Sequence, residues 1–335
     1  MENLRSGGYI KIILWHLVMK LKQLPEDFVV KEVSTIEPGK DGEYAYFTLK
    51  KRNYTTLRAL QQIAAALHTP LSWFGCAGNK DKIAVTEQVC SVSTIAPASL
   101  QSLALKDITL TPLGKGAKPV SLGDLQCNNF DIVVRDIAEL PKKHARFVNL
   151  FGEQRFSTHN AAIGKAMIKR DFKQAVALVL ATKSEAAGMI HQVLATQPKN
   201  YLGALRTLPL KLLKLYVHAY QSLLWNELAQ AHAAHHDKDA KLPIVGFGTI
   251  PDKQLEDILK REAITVREFI IKEFPELSSE GTERDVFAEA TEFQMGSLED
   301  DELNPGKKKV LLTFTLPPGS YATEFVRQLF SSALA

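Results

Sequence analysis

Apolar and polar residues that alternate with a period of two mark a half-buried strand. The clearest such run is Val310, Leu312, Phe314 and Leu316, interleaved with Leu311, Thr313 and Thr315, and it enters the turn sequence Pro317-Pro318-Gly319-Ser320-Tyr321. Phe28 to Val33 and Tyr44 to Leu49 have strand composition, and Pro38-Gly39-Lys40-Asp41-Gly42 supplies the turn chemistry to join them. Ile83 and Val85 open a β-branched run that continues to Val92. Phe130, Ile132 and Val134 alternate with Asp131, Val133 and Arg135, so Phe130 starts a strand with its apolar face inward and Arg135 on the polar face. Between these runs one helix is predicted. Thr55 or Thr56 can cap it, Leu57, Leu60, Ile63 and Leu67 form its apolar stripe, and Pro70 marks its end. Residues 93–140 otherwise read as strands and loops.

Near Glu153 the pattern changes to helical. Ala161 to Arg170, Phe172 to Leu180 and a long stretch from Lys211 to about His235 read as helices; Leu212, Leu213, Tyr216, Val217, Tyr220, Leu223, Leu224 and Leu228 line a broad stripe on the last. The return strand at Val310 to Leu316 needs partners, and the nearest candidates are the strands that precede the helices. The expected fold is therefore α+β: a mixed, mainly antiparallel sheet with flanking helices, interrupted by an inserted helical domain. The expected boundaries are 1–154 for the first part, 155–285 for the insertion and 286–335 for the return.

At 335 residues, 45% hydrophobic and 23% charged, the chain has the composition of an ordinary soluble protein of about two domains. A net charge of +4 is compatible with a nucleic-acid partner without requiring one. Lys50, Lys51, Arg52 and Arg58 form a solvated face or a phosphate contact, and Lys165, Lys169, Arg170 and Lys173 pose the same choice in the helical region. The three cysteines, Cys76, Cys90 and Cys127, lack metal-ligand spacing and read as thiols of a reducing, cytoplasmic setting. Cys76 reads as a small buried hydrophobe. The apolar octet from Ile12 to Met19 is too short to span a membrane, is broken by His16, and reads as a buried strand. His232, His235 and His236 stand at helical spacing but without a completing ligand set, so a solvated helix end is expected and no metal.

Candidate chemistry centres on Gly75-Cys76-Ala77-Gly78-Asn79-Lys80-Asp81-Lys82, a glycine-rich loop entering the strand at Ile83. Glycines free to take positive φ thin the backbone for close approach of a ligand, and positive charge beside a carboxylate favours its charged form. On local chemistry Asp81 is a nucleophile or the centre of a salt-bridged surface turn. The longer string Gly78-x-Lys80-Asp81-x-x-Ala84-Val85-Thr86-x-Gln88 resembles the active-site signature of the TruD family of RNA pseudouridine synthases. Four further blocks agree in order: Lys22-x-x-Pro25-Glu26-Asp27-Phe28-x-Val30, Asn128-x-Phe130, Asn149-x-Phe151-Gly152-x-Gln154-Arg155-Phe156 and Pro318-Gly319-Ser320-Tyr321-Ala322-Thr323. Cys127 stands where Gly usually precedes the Asn, Ser157 where Gly often closes the Gln-Arg-Phe motif, and Tyr321 where Phe is common.

The resemblance implies a pseudouridine synthase catalytic domain interrupted by a TRUD domain. It also implies isomerisation of a specific uridine in RNA, most often tRNA, of the D-arm position-13 type; an isomerisation calls for no cofactor or metal, and a monomer is expected because one enzyme molecule can wrap one RNA. Asp81 would be the catalytic carboxylate and Lys22 its basic partner. Phe28, Phe130 and Tyr321 would offer stacking surfaces to a flipped-out base, Asn128 would read the uracil edge, and Lys80 and Arg155 would contact the substrate. Two other classes remain: an RNA-binding protein of the same fold without catalysis, against which an intact Asp81 argues, and a metal-dependent hydrolase, which would need clustered carboxylates and sensitivity to EDTA.

Overall fold

The computed structural model describes residues 19–157 and 159–331; the expected strand over residues 12–18 lies outside the described residues. The described chain divides into two compact units, one built from residues 19–146, 289–322 and 326–331, the other from residues 147–288 and 323–325. The passages fall at 146/147 and 288/289, whereas the shift in sequence pattern had suggested 154/155 and 285/286.

In the first unit nine strands make one sheet: β1 (Phe28–Ser34), β2 (Tyr44–Arg52), β3 (Phe74–Cys76), β4 (Val85–Ser93), β5 (Ile108–Gly116), β6 (Leu125–Ile137), β7 (Thr291–Met295), β8 (Glu299–Asp300) and β9 (Lys308–Leu316). The order is β7-β9-β6-β1-β4-β2-β5, with β3 paired to β4 and β8 to β9. Only β1 and β4 run parallel; the other pairs are antiparallel. The fold is thus α+β with a mixed, mainly antiparallel sheet. The return strand β9 lies against β6, with Phe314 opposite Phe130 and Leu312 opposite Ile132, so the sheet is closed by residues far apart in the chain.

Helix α1 (Thr56–Ala66) is capped by Thr55, whose Oγ1 accepts from Arg58 N at 3.1 Å. Its buried face runs through Ala59, Leu60, Ile63 and Ala64. Leu57, expected in the stripe, is half exposed, because small alanines rather than leucines meet the sheet on that side. These residues pack on Phe47, Leu49, Cys90, Val92 and Leu100. A short helix missed in the sequence, α2 (Pro97–Gln101), begins on a proline, whose absent N–H costs nothing at a helix start. Arg135, expected on the polar face of β6, is 4% exposed and held between Asp27 and Asp301.

The second unit is mainly helical: α3 (Asn160–Ile168), α4 (Phe172–Ala181), α5 (Glu185–Thr196), α6 (Tyr201–Arg206), α7 (Leu210–Ala233) and α8 (Lys253–Glu262), with a small ribbon of Lys241–Ile244 against Thr282–Asp285. Gly164 lets α3 approach α7, since a Cβ there would lie 2.0 Å from the Tyr216 carbonyl oxygen. The stripe on α7 is buried at Leu213, Tyr216, Val217, Tyr220, Leu224 and Leu228, but Leu223 is 40% exposed and lies off it. No helix among the described residues is long and apolar enough to cross a membrane.

Candidate active site

Asp81 sits in the loop from β3 to β4. Its Oδ2 accepts from Lys22 Nζ at 2.8 Å, and its Oδ1 makes no hydrogen bond among the described residues. Lys22 is brought to Asp81 across 59 residues of chain. Lys80, although adjacent in sequence, turns its Nζ to Glu32 Oε2 at 2.5 Å and Asn128 Oδ1 at 2.8 Å. Glu32 in turn accepts from Val89 N at 3.2 Å. With its carboxamide oxygen occupied by Lys80, Asn128 is left with its N–H donors to offer.

Lys22 adopts the left-handed region, φ +58°, an arrangement costing roughly 1–3 kcal/mol for a residue with a Cβ. The segment around it is clamped. Lys20 and Arg135 exchange main-chain hydrogen bonds of 2.8 and 3.0 Å. Asn304 Nδ2 donates to Gln23 Oε1 at 2.7 Å, and Leu24 N to Asp27 Oδ2 at 2.9 Å. Arg135 binds Asp27 Oδ1 and Asp301 Oδ1, each at 2.9 Å. Burial works against ionisation of Asp301, but N–H donors from Asp136, Asn304, Leu303 and Arg135 prevail and lower its carboxyl to about 2.

The loop itself is fixed at three points. Gln88 Nε2 donates to Gly78 O at 2.8 Å; Thr56 Oγ1 donates to Gln88 Oε1 at 2.8 Å and accepts from Lys80 N at 2.9 Å; Lys51 Nζ donates to Asp81 O at 2.8 Å and Tyr54 O at 2.6 Å. Neither of the two loop glycines takes the positive φ expected of it. Gly75 is required by packing, as a Cβ there would meet Val120 O at 2.3 Å, whereas the space around Gly78 is open to an approaching ligand.

Phe28 and Phe130 are 2% and 7% exposed and belong to a row of rings. Phe28 meets Phe130 edge-on at 6.1 Å, Phe130 stacks on Phe314 at 5.3 Å, and Phe293 meets Phe314 edge-on at 6.3 Å. Lys22 Nζ lies 4.1 Å from the Phe28 ring centre, so Phe28 supports the cation that holds Asp81. Tyr321 is half-buried after Gly319, φ +82°, immediately ahead of the helix Ala322–Ser331. The fold thus gathers Lys22, Phe28, Lys80, Asp81, Asn128 and Phe130. Sequence reasoning missed Lys51, Thr56 and Glu32.

Arg155 belongs to the second unit. Its guanidinium lies 4.9 Å from the Phe151 ring centre, its buried Nε makes no hydrogen bond among the described residues, and it lines a cavity of about 380 Å³ with His218, Gln221, Ser222 and Glu280. Burial lowers the His218 imidazole pKa, as do the charges of Arg155 and Lys214, which favours its neutral form. Asn149, the first residue of the same motif, is structural: Arg284 donates to its carbonyl and side-chain oxygens at 2.8 and 2.7 Å.

The basic clusters come apart. Lys51 is buried, Arg52 pairs with Glu26, Lys165 with Glu262 and Arg170 with Glu273, leaving Lys50, Arg58, Lys169 and Lys173 exposed. His232 and His236 stack on each other at 4.5 Å at the end of α7. None of the three cysteines is disulfide-bonded, and Cys76 is half-buried opposite Cys90 on β4 rather than fully buried. Burial raises the pKa of the Cys90 and Cys127 thiols, which disfavours the thiolate.

A carboxylate with one oxygen bound and one open, beside oriented amide donors, defines a site for general acid-base or nucleophilic chemistry on a polar ligand. The family model for tRNA pseudouridine synthase D (TruD) matches residues 16–189, 188–241 and 229–329. The chain belongs to this family, a group of isomerases that act on tRNA. It is 31% identical to the "Probable tRNA pseudouridine synthase D" of Methanosarcina acetivorans, covering 92% of each chain. It is 28% identical to the tRNA pseudouridine synthase D of Aquifex aeolicus, covering 94% of this chain and 98% of that one. Its structure matches the "Crystal Structure of the Putative tRNA pseudouridine synthase D (TruD) from Methanosarcina mazei" with a TM-score of 0.71, 28% identity and 94% coverage of both chains.

Proposed function

We propose that the protein converts one uridine of tRNA, of the D-arm position-13 type, to pseudouridine in the cytoplasm, acting as a monomer with Asp81 as the catalytic carboxylate. The reaction breaks the N1–C1′ glycosidic bond, turns the uracil and joins its carbon five to the same sugar carbon, with the carbon-five proton lost and one gained at nitrogen, so no redox partner or energy source is consumed. The Lys22–Asp81 pair, with Oδ1 open, is the single observation that carries the reading.

In this reading Lys22 holds Oδ2 of Asp81 and fixes the rotamer that presents Oδ1. The carboxylate then attacks the nucleotide or takes a proton from its sugar. Asn128, oriented by Lys80, donates its amide N–H to a uracil carbonyl. Phe130 and Tyr321 shield the flipped base from water, and Phe28 braces Lys22. Arg155, which lines the cavity of the second unit, contacts the RNA from that unit, the counterpart of the family's inserted TRUD domain.

The test is a base-resolved pseudouridine assay on unmodified tRNA transcripts, comparing wild type with Asp81→Ala and Asp81→Asn. Wild type is expected to modify one uridine, and both variants to bind tRNA and leave it unchanged. Turnover by either variant would remove Asp81 from the chemistry.

A further inference from the structure

Lys51 is 1% exposed, among the most fully buried side chains of the first unit, yet it carries an ammonium group. Its neighbours Lys50 and Arg52 point outward on alternate positions of β2, so Lys51 is neither part of a solvated face nor within reach of a phosphate. Its Nζ reaches the main chain at two places, Tyr54 O at 2.6 Å and Asp81 O at 2.8 Å. A buried charge survives only where it is paired or used, and here its main-chain partners include the carbonyl of the residue whose side chain does the chemistry.

We infer that Lys51 is a positioning residue for catalysis: its buried ammonium holds the Asp81 main chain so that the carboxylate meets Lys22 and the reacting nucleotide together. The inference rests on the reading of Asp81 as the catalytic group. Three features of the site support it. The Asp81 carbonyl is anchored by a side chain from the sheet itself, and β2 pairs with β4 and β5 along its whole length, so the anchor is rigid. The other loop ties, from Gln88 to Gly78 and from Thr56 to Lys80, stop three residues and one residue short of Asp81, leaving Lys51 as the side chain that ties the main chain of residue 81 among the described residues. Finally, burial lowers the Lys51 pKa, Asp81 raises it and Lys80 lowers it, leaving it at about 8; the site keeps an amine there against a large desolvation penalty. A charge-assisted hydrogen bond is about twice as strong as a neutral one, and a displacement of about 1 Å at a reacting group costs on the order of 100-fold in rate.

The test compares wild type, Lys51→Met and Asp81→Asn on tRNA transcripts at pH 7, measuring the single-turnover rate at saturating enzyme, the tRNA Kd and the melting temperature. Methionine fills nearly the same volume without the donor. Lys51→Met is expected to lower the rate by about 10- to 100-fold while Kd changes less than about threefold, a split that lost stability alone would not produce. Wild-type turnover in Lys51→Met, or a loss confined to Kd, overturns the inference. Should Lys51→Met not fold, Lys51→Gln, whose shorter amide cannot reach Asp81 O, takes its place with the same expectations and the same overturning result. Wild-type protein that forms no pseudouridine, or an active Asp81→Asn, overturns the reading of Asp81 and this inference with it, a pattern distinct from an active Lys51→Met beside an inactive Asp81→Asn.

Discussion

Lys22 is 20% and Asp81 30% exposed at the side chain, so their ion pair adds little to stability, and in the proposed mechanism it acts through orientation. Lys22→Met is therefore expected to slow single-turnover modification by at least about tenfold while lowering unfolding free energy by no more than about 1 kcal/mol. Unaltered turnover would show that Asp81 needs no cationic partner. Lys51 behaves differently. Its pKa falls from 10.5 to about 8 in the fold, so between those values the unfolded chain binds a proton that the folded chain does not, and stability rises with pH. The unfolding free energy of wild type relative to Lys51→Met should grow from pH 8 to pH 10; a constant difference in denaturant titrations would refute it. The motif around Asp81 and the order of the blocks that includes Lys22 single out two residues that the structure places in contact. Lys51 does not stand out, because the apolar run of the strand ends at Leu49 while β2 continues to Arg52. Extended to Arg52, it places Ala45, Phe47, Leu49 and Lys51 on one buried face with period two, and that buried lysine would have been the signal.

Strand elements were legible because alternation is local, and partners were not, because they are distant. β9 read correctly as a half-buried strand, its buried positions falling at Val310, Leu312, Phe314 and Leu316. The same alternation put Arg135 on the polar side of β6, since nothing local announces an acid 108 residues before it and another 166 residues after it. That buried cluster sets the register of the 20–27 segment, and hence of Lys22. Arg135→Met would leave Asp27 and Asp301 buried without their counter-charge, a change expected to cost about 3–5 kcal/mol. Asp27→Asn combined with Asp301→Asn should restore part of that loss. Chemical denaturation of wild type, Arg135→Met and the triple variant measures it, and a loss below about 1 kcal/mol for Arg135→Met would mean that water reaches the cluster.

The sheet of the first unit is assembled from two distant stretches of chain, and its strands β6 and β9 meet only after the second unit has been made. The two points where the chain leaves and re-enters that unit are adjacent: Ala290 N donates to Ala145 O at 2.9 Å. Joined ends of this kind are what allow one domain to sit within another, and they also allow its removal. A protein in which residues 147–288 are replaced by a short Gly-Ser linker, with Phe325 changed to Ser because it belongs to the excised unit, is expected to fold cooperatively and to keep the Lys22–Asp81 pair. Arg155, Lys169 and Lys173 leave with the excised unit, so tRNA affinity should fall at least about tenfold, with a shallower dependence on salt because fewer phosphates are neutralised. Filter binding at several salt concentrations, beside thermal unfolding, decides it. Full affinity and an unchanged salt slope in a folded variant would place all the RNA contacts in the first unit, and Arg155 would then have no part in substrate binding.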